Sequence, residues 1–97
     1  VRAHIFISGR VQGVFFRSWT LRQIRQAHCK QAQGLRLTGW VKNLEDGRVE
    51  IIAEGERKQV NRLIKLIKKG PRLAEVEHVD VSWEKATGEF EDFEIRR

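Results

Sequence analysis

Nine consecutive residues, Gly9-Arg10-Val11-Gln12-Gly13-Val14-Phe15-Phe16-Arg17, combine the residue types that hold an anion. Glycines let a turn bring its backbone close to a ligand. Successive N–H groups in such a turn form a concave anion seat, and a helix opening behind it adds the positive end of its dipole. Arg17 stands at the start of that helix, where its planar fork can close over the same anion. This is the chemistry of a phosphate or carboxylate cradle. It is not a Walker loop, because no Gly-Lys-Ser/Thr follows. The same glycines also fit a tight strand-to-helix turn that binds nothing. A second capable residue is Asn43, at the end of Gly39-Trp40-Val41-Lys42-Asn43. Its paired donor and acceptor can orient a water or a substrate oxygen, although asparagine is also a common turn residue that bonds its own backbone.

The elements that carry these residues follow from periodicity. Residues 2–8 alternate, with Ala3, Ile5 and Ile7 on one side, and predict a strand running into the loop. Residues from about 16 to 32 read as a helix with Phe16, Thr20, Ile24 and Ala27 as its apolar stripe, which fades through residues 28–33 before Gly34. Residues 35–43 and 48–54 read as strands joined by Leu44-Glu45-Asp46-Gly47, where Asp-Gly is a hairpin signal. Residues 56–69 form the clearest helix, with Val60, Leu63, Ile64 and Ile67 at core spacing and Gly70-Pro71 as the stop. Its Lys58, Arg62, Lys65 and Lys68 form a solvated face. Residues 76–84 alternate through Val79, Val81 and Trp83, and a short last strand includes Phe93 and Ile95. The order predicts a ferredoxin-like α/β (α+β) sandwich, βαββαβ: an antiparallel sheet with two helices on one face, plus a short extra C-terminal strand.

Composition bounds the function. Ninety-seven residues make one domain, 1–97, with a single core. No apolar run approaches the length of a bilayer span, so a membrane protein is not expected. The single cysteine, Cys29, forms no internal disulfide, fits a reducing cytoplasmic setting and removes multi-cysteine metal schemes. His4, His28 and His78 lie in separate segments without ligand spacing, so no metal site is expected. Nineteen basic against 13 acidic residues give a net charge of +6. That charge favours a small anionic substrate or nucleic acid, and it also serves plain solubility.

The loop Gly9–Arg17, then Gly39-Trp40-Val41-Lys42-Asn43 and Asp46-Gly47-Arg48-Val49-Glu50, together resemble the acylphosphatase family. Gly70-Pro71, Ala74-Glu75-Val76 and Gly88-Glu89-Phe90 with Phe93 extend the resemblance over essentially the whole chain. The resemblance implies an open-faced α/β sandwich that hydrolyses the carboxyl–phosphate bond of a small acylphosphate to carboxylate and inorganic phosphate, without metal or cofactor. It places the phosphate-binding arginine on Arg17 and the water-positioning asparagine on Asn43. The phosphate cradle falls on the backbone amides of Arg10, Val11, Gln12, Gly13, Val14, Phe15 and Phe16. Such a site asks the protein mainly for positioning and charge stabilisation. A carboxylate leaves readily, so no strong general acid is needed, and a phosphate oxygen of the substrate can take the water's proton.

Between Arg17 and Asn43 lie 25 residues, longer than the family pattern by roughly two helical turns of chain. The excess is expected around residues 28–33, away from the loop end of the helix, which leaves the site intact. Two alternatives accompany this expectation. A basic ferredoxin-like RNA-binding module would share the element order, but RNA-recognition motifs use exposed aromatics on central strands, and Arg48-Val49-Glu50-Ile51-Ile52-Ala53 has none. Domains of this family also occur in larger carbamoyl-transfer proteins that handle carbamoyl phosphate. The chain length favours a stand-alone enzyme; a cytoplasmic setting is expected from the single cysteine, and a monomer is expected, with sequence leaving the oligomeric state open.

Overall fold

A computed structural model describes residues 1–25 and 35–96. Its elements are β1 (Arg2–Arg10), α1 (Phe16–Arg25), β2 (Thr38–Asn43), β3 (Val49–Glu54), α2 (Arg57–Lys69), β4 (Glu75–Glu84) and β5 (Phe93–Arg96). The strands form one sheet in the order β4-β1-β3-β2-β5. β1 lies antiparallel between β3 and β4, and β2 is antiparallel to β3. The terminal strand is the exception, since β5 adds parallel to β2. The sheet is therefore mixed: antiparallel through its first four strands, with one parallel edge.

Alternation decides which side is core. Ala3, Ile5, Ile7, Val41, Val49, Ile51, Ala53 and Phe93 are buried in one cluster with Phe16 and Ile24 of α1 and Val60, Leu63, Ile64 and Ile67 of α2. Both helices thus cover the same face, as the sequence pattern predicts. The four buried residues of α2 contribute on the order of 6–12 kcal/mol of hydrophobic stabilisation as an upper bound. Gly70 stops α2, its N–H returning to the Leu66 carbonyl at 2.8 Å. Lys58, Arg62, Lys65 and Lys68 are exposed, as expected of a solvated face. In α1, Phe16, Thr20 and Ile24 are buried one turn apart, and the Thr20 hydroxyl donates to the Phe16 carbonyl at 2.9 Å, which satisfies it in an apolar setting. Ala27 and the stretch 28–33 lie outside the described residues.

Two local features position the site. A β-bulge falls between Ser8 and Gly9 where β1 meets β4. Gly9 has φ +120, and a Cβ there would stand 2.2 Å from the Glu75 carbonyl oxygen, so only glycine allows the neighbouring backbone so close. The β2–β3 hairpin is closed by Leu44 N–H to the Arg48 carbonyl at 2.8 Å. Asp46 then accepts from the Arg48 backbone N–H at 3.1 Å and from its Nε at 2.8 Å. The backbone N–H of Arg48, with its guanidinium, holds the Asp46 carboxyl below its usual range.

β2 begins at Thr38 rather than Leu35. Leu35 and Leu37 are buried, but Leu37 N–H turns back to the Leu35 carbonyl at 3.0 Å instead of joining the ladder. The connection into β5 is latched by Glu54, 5% exposed. Its carboxylate accepts the Thr87 N–H, the Thr87 hydroxyl and the Gly88 N–H, each at 3.0 Å, with Arg2 at 3.4 Å. Burial pushes its pKa up, but these donors outweigh burial and hold the carboxyl below the ordinary glutamate value. On the open face of the sheet, Arg48 lies 4.7 Å over the Phe6 ring and Arg96 lies 5.2 Å over Trp40. Those aromatics are covered by the chain's own cations and offer no free platform for bases. No helix among the described residues is long and apolar enough to cross a membrane.

Candidate active site

The segment between β1 and α1 is pinned to the core at three points. Val11 is fully buried, and Val14 and Phe16 are nearly so, whereas Gly13 and Phe15 face outward. Gly13 has φ +74 and Phe15 has φ +61. Two left-handed residues flanking Val14 curl the backbone tightly. For a phenylalanine that conformation costs roughly 1–3 kcal/mol, a strain that clusters at ligand clamps. The helix begins at once, with Trp19 N–H bonded to the Phe15 carbonyl at 2.9 Å. The curl is thereby joined to a helix N-terminus.

Asn43 approaches from the other side. It is the last residue of β2 and pairs with Val49 in the ladder. Alternation puts it on the same side as the fully buried Val41, the face on which α1 lies. The side-chain bond of the turn comes from Asp46 instead. The Asn43 Oδ1 is buried and accepts no hydrogen bond among the described residues.

These pieces meet in one pocket of about 210 Å³, lined by Val11, Gly13, Phe15, Phe16, Arg17, Ser18 and Asn43. It is smaller than the roughly 300–1,000 Å³ of pockets that enclose drug-sized ligands. The lining holds one cation and no carboxylate, the balance an anion requires. Among the described residues, the Arg17 guanidinium makes one hydrogen bond, a long 3.5 Å contact to the Arg96 carbonyl. The rest of its fork makes no hydrogen bond among the described residues.

Six residues expected at the site, Val11, Gly13, Phe15, Phe16, Arg17 and Asn43, line that pocket together. Three others in the loop do not. Arg10 ends β1 opposite Glu75, and Val14 is part of the core. Gln12 turns its side chain to the hairpin, where Nε2 donates to the Leu44 carbonyl at 2.7 Å and the Arg48 carbonyl at 2.9 Å. Two features of the site escape sequence reasoning. Ser18 lines the pocket, and its only sequence signal is its place after Arg17 in the first helical turn. The Gln12 cross-link has no local signal, because its acceptors lie more than 30 residues away.

A family model described as acylphosphatase matches residues 3–95. An acylphosphatase from Chloroflexus aurantiacus is 50% identical over 95 residues, which covers 98% of this chain and 95% of that protein. The crystal structure of acylphosphatase from Bacillus subtilis superimposes with a TM-score of 0.86 at 31% identity, over 99% of this chain and 98% of the other. The structure of an acylphosphatase from Coxiella burnetii gives 0.83 at 38% identity, over 98% and 90%.

Proposed function

Because this chain belongs to the acylphosphatase family, and hydrolyses the carboxyl–phosphate bond of acylphosphates, we propose that the pocket between the loop and Asn43 is where it does so. The backbone amides of the loop where it lines the pocket, at Gly13, Phe15 and Phe16, and the Arg17 fork hold the phosphoryl oxygens, and Asn43 holds the attacking water. The observation that carries this assignment is the convergence of a nearly unencumbered guanidinium and a buried, unpartnered carboxamide oxygen on one small pocket.

The chemistry follows from those two groups. A water O–H donates to Asn43 Oδ1, which turns an oxygen lone pair toward phosphorus. The new P–O bond forms as the bond from phosphorus to the acyl oxygen breaks, and the electron pair leaves on the carboxylate. The water's proton passes to a phosphoryl oxygen, giving inorganic phosphate. Charge on the equatorial oxygens is met by Arg17 and by N–H groups already fixed in place, so no solvent need reorganise. The departing group is a carboxylate, whose conjugate acid titrates near 4, so it needs no proton at neutral pH. No metal or cofactor enters this scheme. The groups that line the pocket recognise the phosphoryl group and little of the acyl group, which leaves the substrate class broad. The chain then acts as a cytoplasmic monomer on small acylphosphates.

Turnover of a synthetic aryl acylphosphate without added metal tests the assignment. Arg17→Gln should nearly abolish both turnover and competitive inhibition by phosphate. Asn43→Ala should lower kcat about 10²–10³-fold, the cost of removing one well-placed polar group, while phosphate inhibition persists. Unchanged turnover in both variants would defeat it.

A further inference from the structure

We propose that Gln12 is a positioning residue whose side-chain amide fixes the anion loop at its working distance from Asn43. This rests on the site assignment above and adds to it the part that joins its two halves. Gln12 Nε2 lies 2.7 Å from the Leu44 carbonyl oxygen and 2.9 Å from that of Arg48. Both partners are acceptors, so only the NH₂ end of the amide can face them. Leu44 follows Asn43 in the chain, and Arg48 precedes Val49, the residue paired with Asn43 across the ladder. One side chain on the loop therefore grips both strands of the hairpin at the level of the asparagine.

The hairpin does not need these bonds to satisfy its own polar groups. The Leu44 carbonyl already accepts Gly47 N–H at 3.2 Å, and the Arg48 carbonyl accepts Leu44 N–H at 2.8 Å. Gln12 uses the second lone pair of each oxygen. The loop does not need them to stay folded either, since Val11, Val14 and Phe16 anchor it in the core. What the amide adds is the position of one segment relative to the other. In a hydrolysis that depends on a held water meeting a held phosphorus, an error of about 1 Å can cost on the order of 10²-fold in rate.

The experiment compares Gln12→Ala and Gln12→Glu with the unchanged protein in kcat, KM, phosphate inhibition and melting temperature. Gln12→Ala should lower kcat roughly 10–100-fold while phosphate inhibition shifts by about twofold or less, because the cradle keeps its anchors. Gln12→Glu sets a carboxylate against two carbonyl oxygens at neutral pH. Once protonated, its O–H can donate to one of them. The kcat of Gln12→Glu relative to the unchanged protein should therefore rise as pH falls through the introduced carboxyl's titration, whereas the ratio for Gln12→Ala stays flat. A purely structural role gives a lower melting temperature with kcat intact, or a parallel fall in kcat and phosphate affinity, and either result overturns the proposal. Arg17→Gln and Asn43→Ala run beside these as controls. If both controls retain turnover, the site assignment fails and takes this proposal with it. If both are inactive and Gln12→Ala turns over normally, only the role of Gln12 fails.

Discussion

Alanine at Gly9 and at Gly13 should separate the two uses this loop makes of glycine. Both positions have positive φ, +120 and +74, and a Cβ in that region costs roughly 1–2 kcal/mol. Stiffening the unfolded chain returns about 0.4–1 kcal/mol of that. At Gly13 nothing lies within 4 Å of the added methyl, so the net loss is about 0–1.6 kcal/mol. In a domain of this size that lowers the melting temperature by up to roughly 13 °C. At Gly9 the methyl would sit 2.2 Å from the Glu75 carbonyl oxygen and 2.8 Å from the Glu77 nitrogen, both backbone atoms of β4. β4 has to part from β1 there, which forfeits ladder bonds near the bulge and brings the total to about 3 kcal/mol or more. Phosphate binding should follow the opposite order. Gly13 lines the pocket, so its methyl adds bulk where the phosphoryl group must approach, whereas Gly9 is outside the lining. Denaturant melts give the stabilities, and competitive inhibition by phosphate, measured where both variants are folded, gives the affinities. Equal stability losses at the two positions, or undiminished phosphate affinity in Gly13→Ala, would refute the steric reasoning.

Glu54→Gln should cost about 1–3 kcal/mol near neutrality, because a buried acceptor of three hydrogen bonds loses its charge. The folded-state pKa of Glu54 is depressed, so this stabilisation is complete above the ordinary value of 4.5 and is lost as pH falls through the folded value. Melts of the two proteins should converge in acid; a gap that stays constant as pH falls far below 4.5 contradicts the role given to the carboxylate. Lys65→Glu should stabilise α2 by about 1 kcal/mol or less at low salt, since Lys65 sits three or four residues from Arg62, Lys68 and Lys69 and each like-charge neighbour becomes an attractive one. The gain should fade by 1 M salt, where the Debye length is about 3 Å, and a gain indifferent to salt would point to another cause.

What was legible in the sequence was whatever repeats within one element. Val60, Leu63, Ile64 and Ile67 announce α2 and its buried side, and Asp46-Gly47 announces the hairpin, because both signals are local. The loop and Asn43 could be named because their order resembles the acylphosphatase family; taken alone, the glycines fit a plain tight turn and the asparagine a common turn residue. Their meeting in one pocket depends on sheet order, which no window of sequence contains. The parallel pairing of β5 with β2 was invisible for the same reason: Phe93 and Ile95 alternate identically whichever way their strand runs. The left-handed Phe15 was hidden because glycine, not phenylalanine, signals positive φ. Leu35 and Leu37 misled in the other direction, since their burial imitates a strand that has not yet begun.

The central place of β1 also sets the order of events in folding. Ala3 pairs with Ala53 on one side and with Trp83 on the other, so β1 gains its neighbours only after closures of long stretches of chain. Such non-local pairing makes for slow, late assembly. The bulge that turns the end of β1 into the anion loop is formed against Glu75 and Val76 at the start of β4. The loop therefore takes its native shape only with β4 docked against it. If phosphate binds that loop as proposed, states in which β4 has not docked lack its seat, and its free energy should favour the native side of the barrier. Rates measured with and without phosphate should then show unfolding slowed and folding unchanged.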